Sequence, residues 1–168
     1  MPLRQRLPRD IISHVNKPDQ PPSGLLVIGY GNTLRGDDGV GPKVSDTVAA
    51  LDLPGTRSIT VGLLTPELAD PISQAKAVVF VDAAVDAPTE VQLRPLEPAE
   101  SSQIMAHAAD PKTLLALARD VFGHTPRAWW LTIPAVNLGF CETLSPETAR
   151  GMEIALEKVR ELAQPYAG

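Results

Sequence analysis

Cysteine is nearly absent from this chain. Cys141 stands alone, so no internal disulfide framework exists and no thiolate cluster can be built from the chain itself. Positive charge is also short: 15 Lys and Arg face 20 Asp and Glu, giving a formal net charge of -5 and a pI of about 5.1. That balance carries no electrostatic footprint for nucleic acid. No eighteen consecutive apolar residues occur, so no segment reads as a membrane span. The first 24 residues hold basic side chains but no apolar run after them, so they do not read as a secretory signal. These absences together describe a soluble, cytoplasmic protein with neither nucleic acid nor a membrane as partner.

Several chemical signatures are missing as well. Gly29-Tyr30-Gly31 begins like a dinucleotide fingerprint, but Leu34 stands where the third glycine belongs, and no GxxxxGK[ST] loop follows elsewhere. Asp37 and Asp38 would in any case repel a phosphate at a helix N-terminus. HExxH and CxxC are absent, and a Ser-His-Asp reading lacks the GxSxG elbow. Cys141 lies in NLGFCETLSP without a neighbouring base, which makes it structural or incidental.

What remains is a 168-residue chain with 43% apolar residues, enough for one domain with a real core. Residues 1–23 read as a proline-rich N-terminal tail (Pro2, Pro8, Pro18, Pro21, Pro22), with Ile11, Ile12 and Val15 spaced to dock as a short helix. Residues 24–168 read as a single α/β domain. Leu25–Ile28 is a short apolar run closed by glycines, as in a buried strand. Val40, Val44, Val48 and Leu51 then recur at helical spacing, and Pro42 confines that helix to a start near Gly39. Residues 58–61 form a β-rich segment, and Thr65-Pro66-Glu67 reads as cap, first-turn proline and first-turn acid of a helix reaching Ser73. Ala77–Asp82, apolar on both faces, predicts a central parallel strand. Glu90–Arg94 alternates polar and apolar, as an edge strand does. Asp110-Pro111 opens a helix with Leu114, Leu117, Ala118 and Val121 as its buried stripe, Ala128–Ile133 is a further strand, and Ser145-Pro146-Glu147 opens the last helix. Strands separated by helices imply right-handed crossovers and a three-layer α/β/α sandwich around a mostly parallel, twisted sheet of about five strands.

The chemistry concentrates after the first strand. Open α/β sheets place ligands beyond the carboxyl ends of their strands, and Asp37-Asp38 follows such an end. One acid suffices to cap a helix and offset its dipole, the role that falls to Asp37 by default, at roughly 0.3–1 kcal/mol. Asp38 then needs another account. Asp82 ends the central strand, where it either caps the turn Asp82-Ala83-Ala84 or joins Asp38 at one sheet edge. His107 lies in a polar loop, as a solvated residue or a ligand. His14 lies in the tail, and His124, beyond the Gly123 helix stop, reads as a C-terminal dipole partner. Two carboxylates, one imidazole and open positions form an N/O set suited to a borderline divalent ion such as Ni²⁺ or Zn²⁺.

GYGNTLRGDDGVG resembles the opening signature of the hydrogenase maturation endopeptidases, G-x-G-N followed by D-[DE]-x-x-G at the same offset. The similarity continues through LLTPELADPISQAKAVVFVDAAV, His107 ahead of PKTLLALARDVFG, and TLSPETARGMEIALEKV, spanning about residues 25–163. The resemblance implies a metal-contact and catalytic triad of Asp38, Asp82 and His107, with Asp37 in a supporting role. It implies an endopeptidase that removes the C-terminal extension of a [NiFe]-hydrogenase large-subunit precursor after nickel insertion. The nickel, supplied by the precursor, is the recognition element, and another divalent ion can stand in for it in vitro. The alternative on the same fold is a non-catalytic nickel-binding or precursor-docking module. Two departures from the family pattern stand out: Thr60–Thr65 carries no acid where some members have one linked to substrate selection, and the acid pair is Asp-Asp where others have Asp-Glu, so that Asp38, one methylene shorter, needs a slightly closer ion.

Overall fold

The computed structural model describes residues 23–86, 89–100 and 110–168. The 1–22 part of the expected tail, with His14, and the 101–109 stretch, with His107, lie outside the described residues. The elements in chain order are β1 (Ser23–Tyr30), α1 (Val40–Leu51), β2 (Thr56–Val61), α2 (Ala69–Ser73), β3 (Ala75–Ala84), β4 (Gln92–Leu96), α3 (Pro111–Phe122), β5 (Arg127–Pro134) and α4 (Pro146–Ala163). Five strands form one sheet in the order β2-β1-β3-β5-β4. Every pairing is parallel except β4 with β5. The expected α/β sandwich is therefore the observed one, with the apolar run of β3 at its centre.

Alternation along the strands divides the core in two. Leu25, Val27, Val79, Val81 and Ile133 turn towards α1 and α4, where they meet Val44, Val48, Leu156 and Val159. Leu26, Ile28, Val78 and Phe80 turn the other way, towards Ile72, Leu114, Leu115 and Ala118 of α2 and α3. A strand buried on both faces must be apolar at every position, which is why β3 reads as a continuous hydrophobic run.

Two elements depart from their expected bounds. The edge strand forms over Gln92–Leu96, two residues later than its polar–apolar alternation suggests, because its antiparallel register with β5 buries Leu96 opposite Ala128. Pro95 is tolerated there because an edge strand can spare a ladder donor. The helix expected from Thr65 to Ser73 is instead a 3₁₀ turn, Pro66–Leu68, running into the short α2, and the Thr65 side chain caps no backbone group. Pro71 lacks the N–H that would bond back to Glu67, so a continuous α-helix cannot form across that point. The other two helix starts behave as read: Asp110 accepts from the Lys112 N–H and Ser145 from the Thr148 N–H. Gly123 closes α3 at φ 78°. The backbone N–H of His124 closes its own helix end on the Ala118 carbonyl, while its imidazole turns away: Nε2 donates to the Ala75 carbonyl at 3.2 Å and ties the end of α3 to the start of β3.

The glycines after β1 bring backbones together instead of cradling a phosphate. A Cβ on Gly29 would run into the Gly41 carbonyl oxygen and Ser45 Oγ, and one on Gly41 would lie 2.5 Å from the carbonyl oxygens of Tyr30 and Val81. Helix α1 thus lies directly on the sheet at its carboxyl end. Gly29→Ala should force these backbones apart, costing at least about 2 kcal/mol. A thermal melt is expected to show a midpoint lowered by about 4–8 °C; an unchanged midpoint would contradict the close approach.

Candidate functional site

β1 and β3 are neighbouring parallel strands, and Gly29 pairs with Val81. The next residues, Tyr30 and Asp82, therefore stand side by side where β1 ends, and β3 runs on beside β5 to Ala84, so the turn expected at Asp82-Ala83-Ala84 does not form. Asp38 reaches this carboxyl edge of the sheet from the 3₁₀ turn Gly36–Gly39 that leads into α1. Its Oδ2 accepts the Asn32 N–H at 2.8 Å, which folds the loop back towards β1. Gly31, at φ 144°, permits this return, since a Cβ there would collide with the Asp38 carbonyl. Asp38 and Asp82 are close enough for the charge of Asp38 to raise the pKa of Asp82.

Asp82 is the chemically unusual acid. Burial is the main cause that lifts its pKa, to about 6; the hydrogen bonds from Tyr30 and the Ala83 N–H oppose that rise, and the Asp38 charge adds to it. The Tyr30 hydroxyl donates to Asp82 Oδ2 at 2.9 Å and accepts from Trp130 Nε1 at 3.2 Å. Burial, then the charge of Asp82, its hydrogen bond and the charge of Asp110, push the Tyr30 phenol well above its ordinary value, against the opposing hydrogen bond from Trp130. Asp110 caps α3, so the N-terminus of that helix lies within electrostatic reach of the same site.

Asp37 points the other way. It is fully buried, and it caps neither the 3₁₀ turn nor α1, as neither has a side-chain cap. The expected capping role is corrected accordingly. The carboxylate crosses to the loop between β5 and α4, where Oδ2 accepts from Val136 N, Asn137 N and Ser145 Oγ, each at 2.8 Å, and Oδ1 accepts from Ser145 N at 2.7 Å. Ser145 is the N-cap of α4, so Asp37 offsets the dipole of a helix more than a hundred residues away in sequence. Burial alone would raise its pKa, but the donors from Asn137, Ser145 and Val136 outweigh it and hold the group at about 2. Backbone bonds continue the seam: Asp37 N donates to Asn137 O, Gly36 N to Cys141 O, and Cys141 N to Leu34 O. Cys141 belongs to this seam through its backbone. Its thiol, paired with the Thr143 hydroxyl at 2.9 Å, is held below its ordinary value first by that hydroxyl and then by the Thr143 backbone.

Of the four acids and bases singled out from sequence, Asp38 and Asp82 meet at one edge, Asp37 stands behind them as a buried support, and His107 lies outside the described residues. Among the described residues no three His, Cys, Asp or Glu side chains gather as a metal set. Two carboxylate donors, one from strand β3 and one from the turn before α1, can nonetheless contribute to an ion that takes further ligands from elsewhere. Tyr30, Trp130 and Ser145 were not legible as partners of these acids. The one available signal was the placement of Tyr30 at the end of β1, level with Asp82.

No family model and no curated protein matches the chain. Solved structures do. The hydrogenase maturating endopeptidase HybD from E. coli matches with a TM-score of 0.67 at 19% identity, over 84% of this chain and 92% of its own. The [NiFe] hydrogenase maturation protease HybD from Thermococcus kodakarensis matches with a TM-score of 0.64 at 24% identity, over 83% and 98%. The [NiFe] hydrogenase maturation protease HycI from Thermococcus kodakarensis KOD1 gives 0.65 at 20%, over 84% and 93%. The chain thus has the fold of the hydrogenase maturation endopeptidases.

Adjacent acids with opposite duties should separate experimentally. Asp37→Asn places an NH₂ donor against N–H and O–H donors in a buried site, at a cost of about 1–3 kcal/mol for each group left unpaired, and should lower the melting midpoint by several degrees. Asp38→Asn, half-exposed with one backbone donor, should leave it within about a degree or two. Because the folded-state pKa of Asp37 is depressed from 3.8 to about 2, its stabilisation is complete above pH 3.8 and fades as pH falls through about 2. Acid titration of the parent and Asp37→Asn should therefore show their stability gap closing only at that acid end.

Proposed function

We propose that this chain is an endopeptidase that removes the C-terminal extension of a nickel-loaded [NiFe]-hydrogenase large-subunit precursor, acting in the cytoplasm. The observation that carries the reading is the meeting of Asp38 and Asp82 at the carboxyl edge of a sheet whose fold is that of hydrogenase maturation endopeptidases. The reading assigns metal contact to Asp38, Asp82 and His107. His107 precedes Asp110 by three residues, a reach of at most about 11 Å, and the charge of Asp110 already acts on Tyr30 beside Asp82.

The nickel belongs to the substrate. A three-ligand, oxygen-rich set with open positions can share an ion that the precursor also coordinates, and hard carboxylates with one imidazole suit that task. A precursor without nickel lacks the bridging contact and is left uncut. The surroundings of the acids suit a protein substrate. Leu34, Leu63, Val85, Val136 and Phe140 stand on the loops that follow β1, β2, β3 and β5, and Phe140 is 90% exposed. Exposed large apolar side chains grouped at one edge are characteristic of interaction surfaces. Among the described residues no helix is long and apolar enough to cross a membrane.

The test incubates nickel-loaded and nickel-free precursor with the purified chain and follows loss of the C-terminal extension by mass. Cleavage of the loaded precursor alone is expected. Intact binding without cleavage would sink the peptidase reading in favour of the docking module. Asp38→Ala, Asp82→Ala and His107→Ala should each reduce cleavage to background, while Cys141→Ser should process at the parental rate. Normal processing by His107→Ala would remove that residue from the metal set.

A further inference from the structure

Trp130, Tyr30 and Asp82 lie on three neighbouring strands and form a chain of hydrogen bonds with only one possible polarity. Indole nitrogen donates and never accepts. The bond from Trp130 Nε1 at 3.2 Å therefore fixes the Tyr30 oxygen as acceptor, and the single phenolic hydrogen must go to Asp82 Oδ2, 2.9 Å away. Asp82 Oδ2 is thereby committed as an acceptor. A carboxylate offers about four lone-pair positions, so about three remain for a ligand.

All three side chains are anchored in the sheet rather than in a loop. Tyr30 ends β1, Asp82 lies within β3, and Trp130 lies within β5 on the same face, the one turned towards α2 and α3. The register that pairs Phe80 with Trp130 and Gly29 with Val81 sets the spacing of the relay. A carboxylate with no partners would rotate about its terminal torsion, whose preferences are broad. The Tyr30 hydroxyl, itself held by Trp130, restricts that freedom before any ligand arrives.

We infer that Tyr30, braced by Trp130, is a positioning residue that fixes the Asp82 carboxylate so that its remaining oxygen lone pairs face the carboxyl edge of the sheet, ready for a metal ion. The inference rests on Asp82 as a ligand of the substrate's nickel, and it concerns how this chain prepares that ligand. Tyr30 itself touches neither ion nor scissile bond. It acts as outer partners of metal-binding carboxylates do, holding orientation and leaving the ligand's free electrons available.

The full chain is titrated with NiCl₂ by calorimetry, alongside the Tyr30→Phe, Trp130→Phe and Asp82→Ala variants, with a thermal melt of each. Tyr30→Phe removes one oxygen and keeps the ring, and it should weaken nickel binding about ten- to a hundredfold, the range for loss of an outer partner, with its melt close to the parental one. Trp130→Phe leaves the phenol in place but unbraced and should weaken binding in the same direction by a smaller factor. Asp82→Ala should abolish the response. With nickel-loaded precursor, Tyr30→Phe should raise KM more than it lowers kcat. Parental nickel affinity in Tyr30→Phe, together with a lost response in Asp82→Ala, would overturn the positioning role and leave the ligand intact. Parental affinity in Asp82→Ala would overturn the ligand reading beneath it; if the free parent takes up no nickel, the same variants are compared for binding of the nickel-loaded precursor, where parental affinity in Tyr30→Phe overturns the positioning role and parental affinity in Asp82→Ala the ligand reading. Should Tyr30→Phe fail to fold, Trp130→Phe decides alone: unchanged affinity there overturns the relay.

Discussion

The carboxylate of Asp37 is the contact on which the carboxyl edge depends. A buried anion is costly unless its lone pairs are filled, and here four donors fill them, all from the loop that joins β5 to α4. The same contact closes three structural accounts at once. It satisfies backbone N–H groups in an irregular loop, supplies negative charge to the N-terminus of α4, and pins the turn that carries Asp38. Two adjacent acids therefore divide the work: Asp37 is consumed by the frame, and Asp38 is left at the edge with one backbone donor and a free face.

Close packing of backbones sets the remaining geometry. Gly29 and Gly41 let α1 lie on the sheet without side chains between them, so the turn that precedes α1 stays near the ends of β1 and β3. The order β2-β1-β3-β5-β4 then places Tyr30, Asp82 and Trp130 on three successive strands. The outcome is a site in which Asp82 is presented by a rigid sheet and Asp38 by a latched loop. Rigid presentation of this kind is what precise placement of functional groups requires, since sites built on helices and strands hold their geometry better than sites built on loops.

Much of this was legible in the sequence, for a definite physical reason. The layers follow from periodicity, and the apolar run before Asp82 marked the central strand, although that strand continues past Asp82 to Ala84 instead of ending there. Local signals also held for the caps at Asp110 and Ser145. What stayed hidden were partnerships across long separations: Asp37 meets residues 99 to 108 positions away, and Tyr30 meets Trp130 a hundred positions away. An acid beside a helix start looks like that helix's cap, and only the folded arrangement shows that it serves another. Likewise Tyr30 looks like a spacer between two glycines until the parallel register sets it beside Asp82. Pro71, visible in the sequence, carried the information that α2 would be short, but the stronger cap-and-proline pattern at Thr65-Pro66 masked it.

The donors around Asp37 have one further consequence, in ionic strength. All four are neutral, so the interaction is a buried charge held by fixed dipoles, and mobile ions in solution have little to screen. The repulsion between Asp38 and Asp82 is of a different kind, acting between two like charges of which Asp38 is partly exposed to solvent and Asp82 more deeply set. Added salt therefore softens the mutual repulsion of the two acids while leaving untouched the scaffold that sets their separation. In this fold the salt concentration becomes a dial that addresses the pair of acids and bypasses their frame.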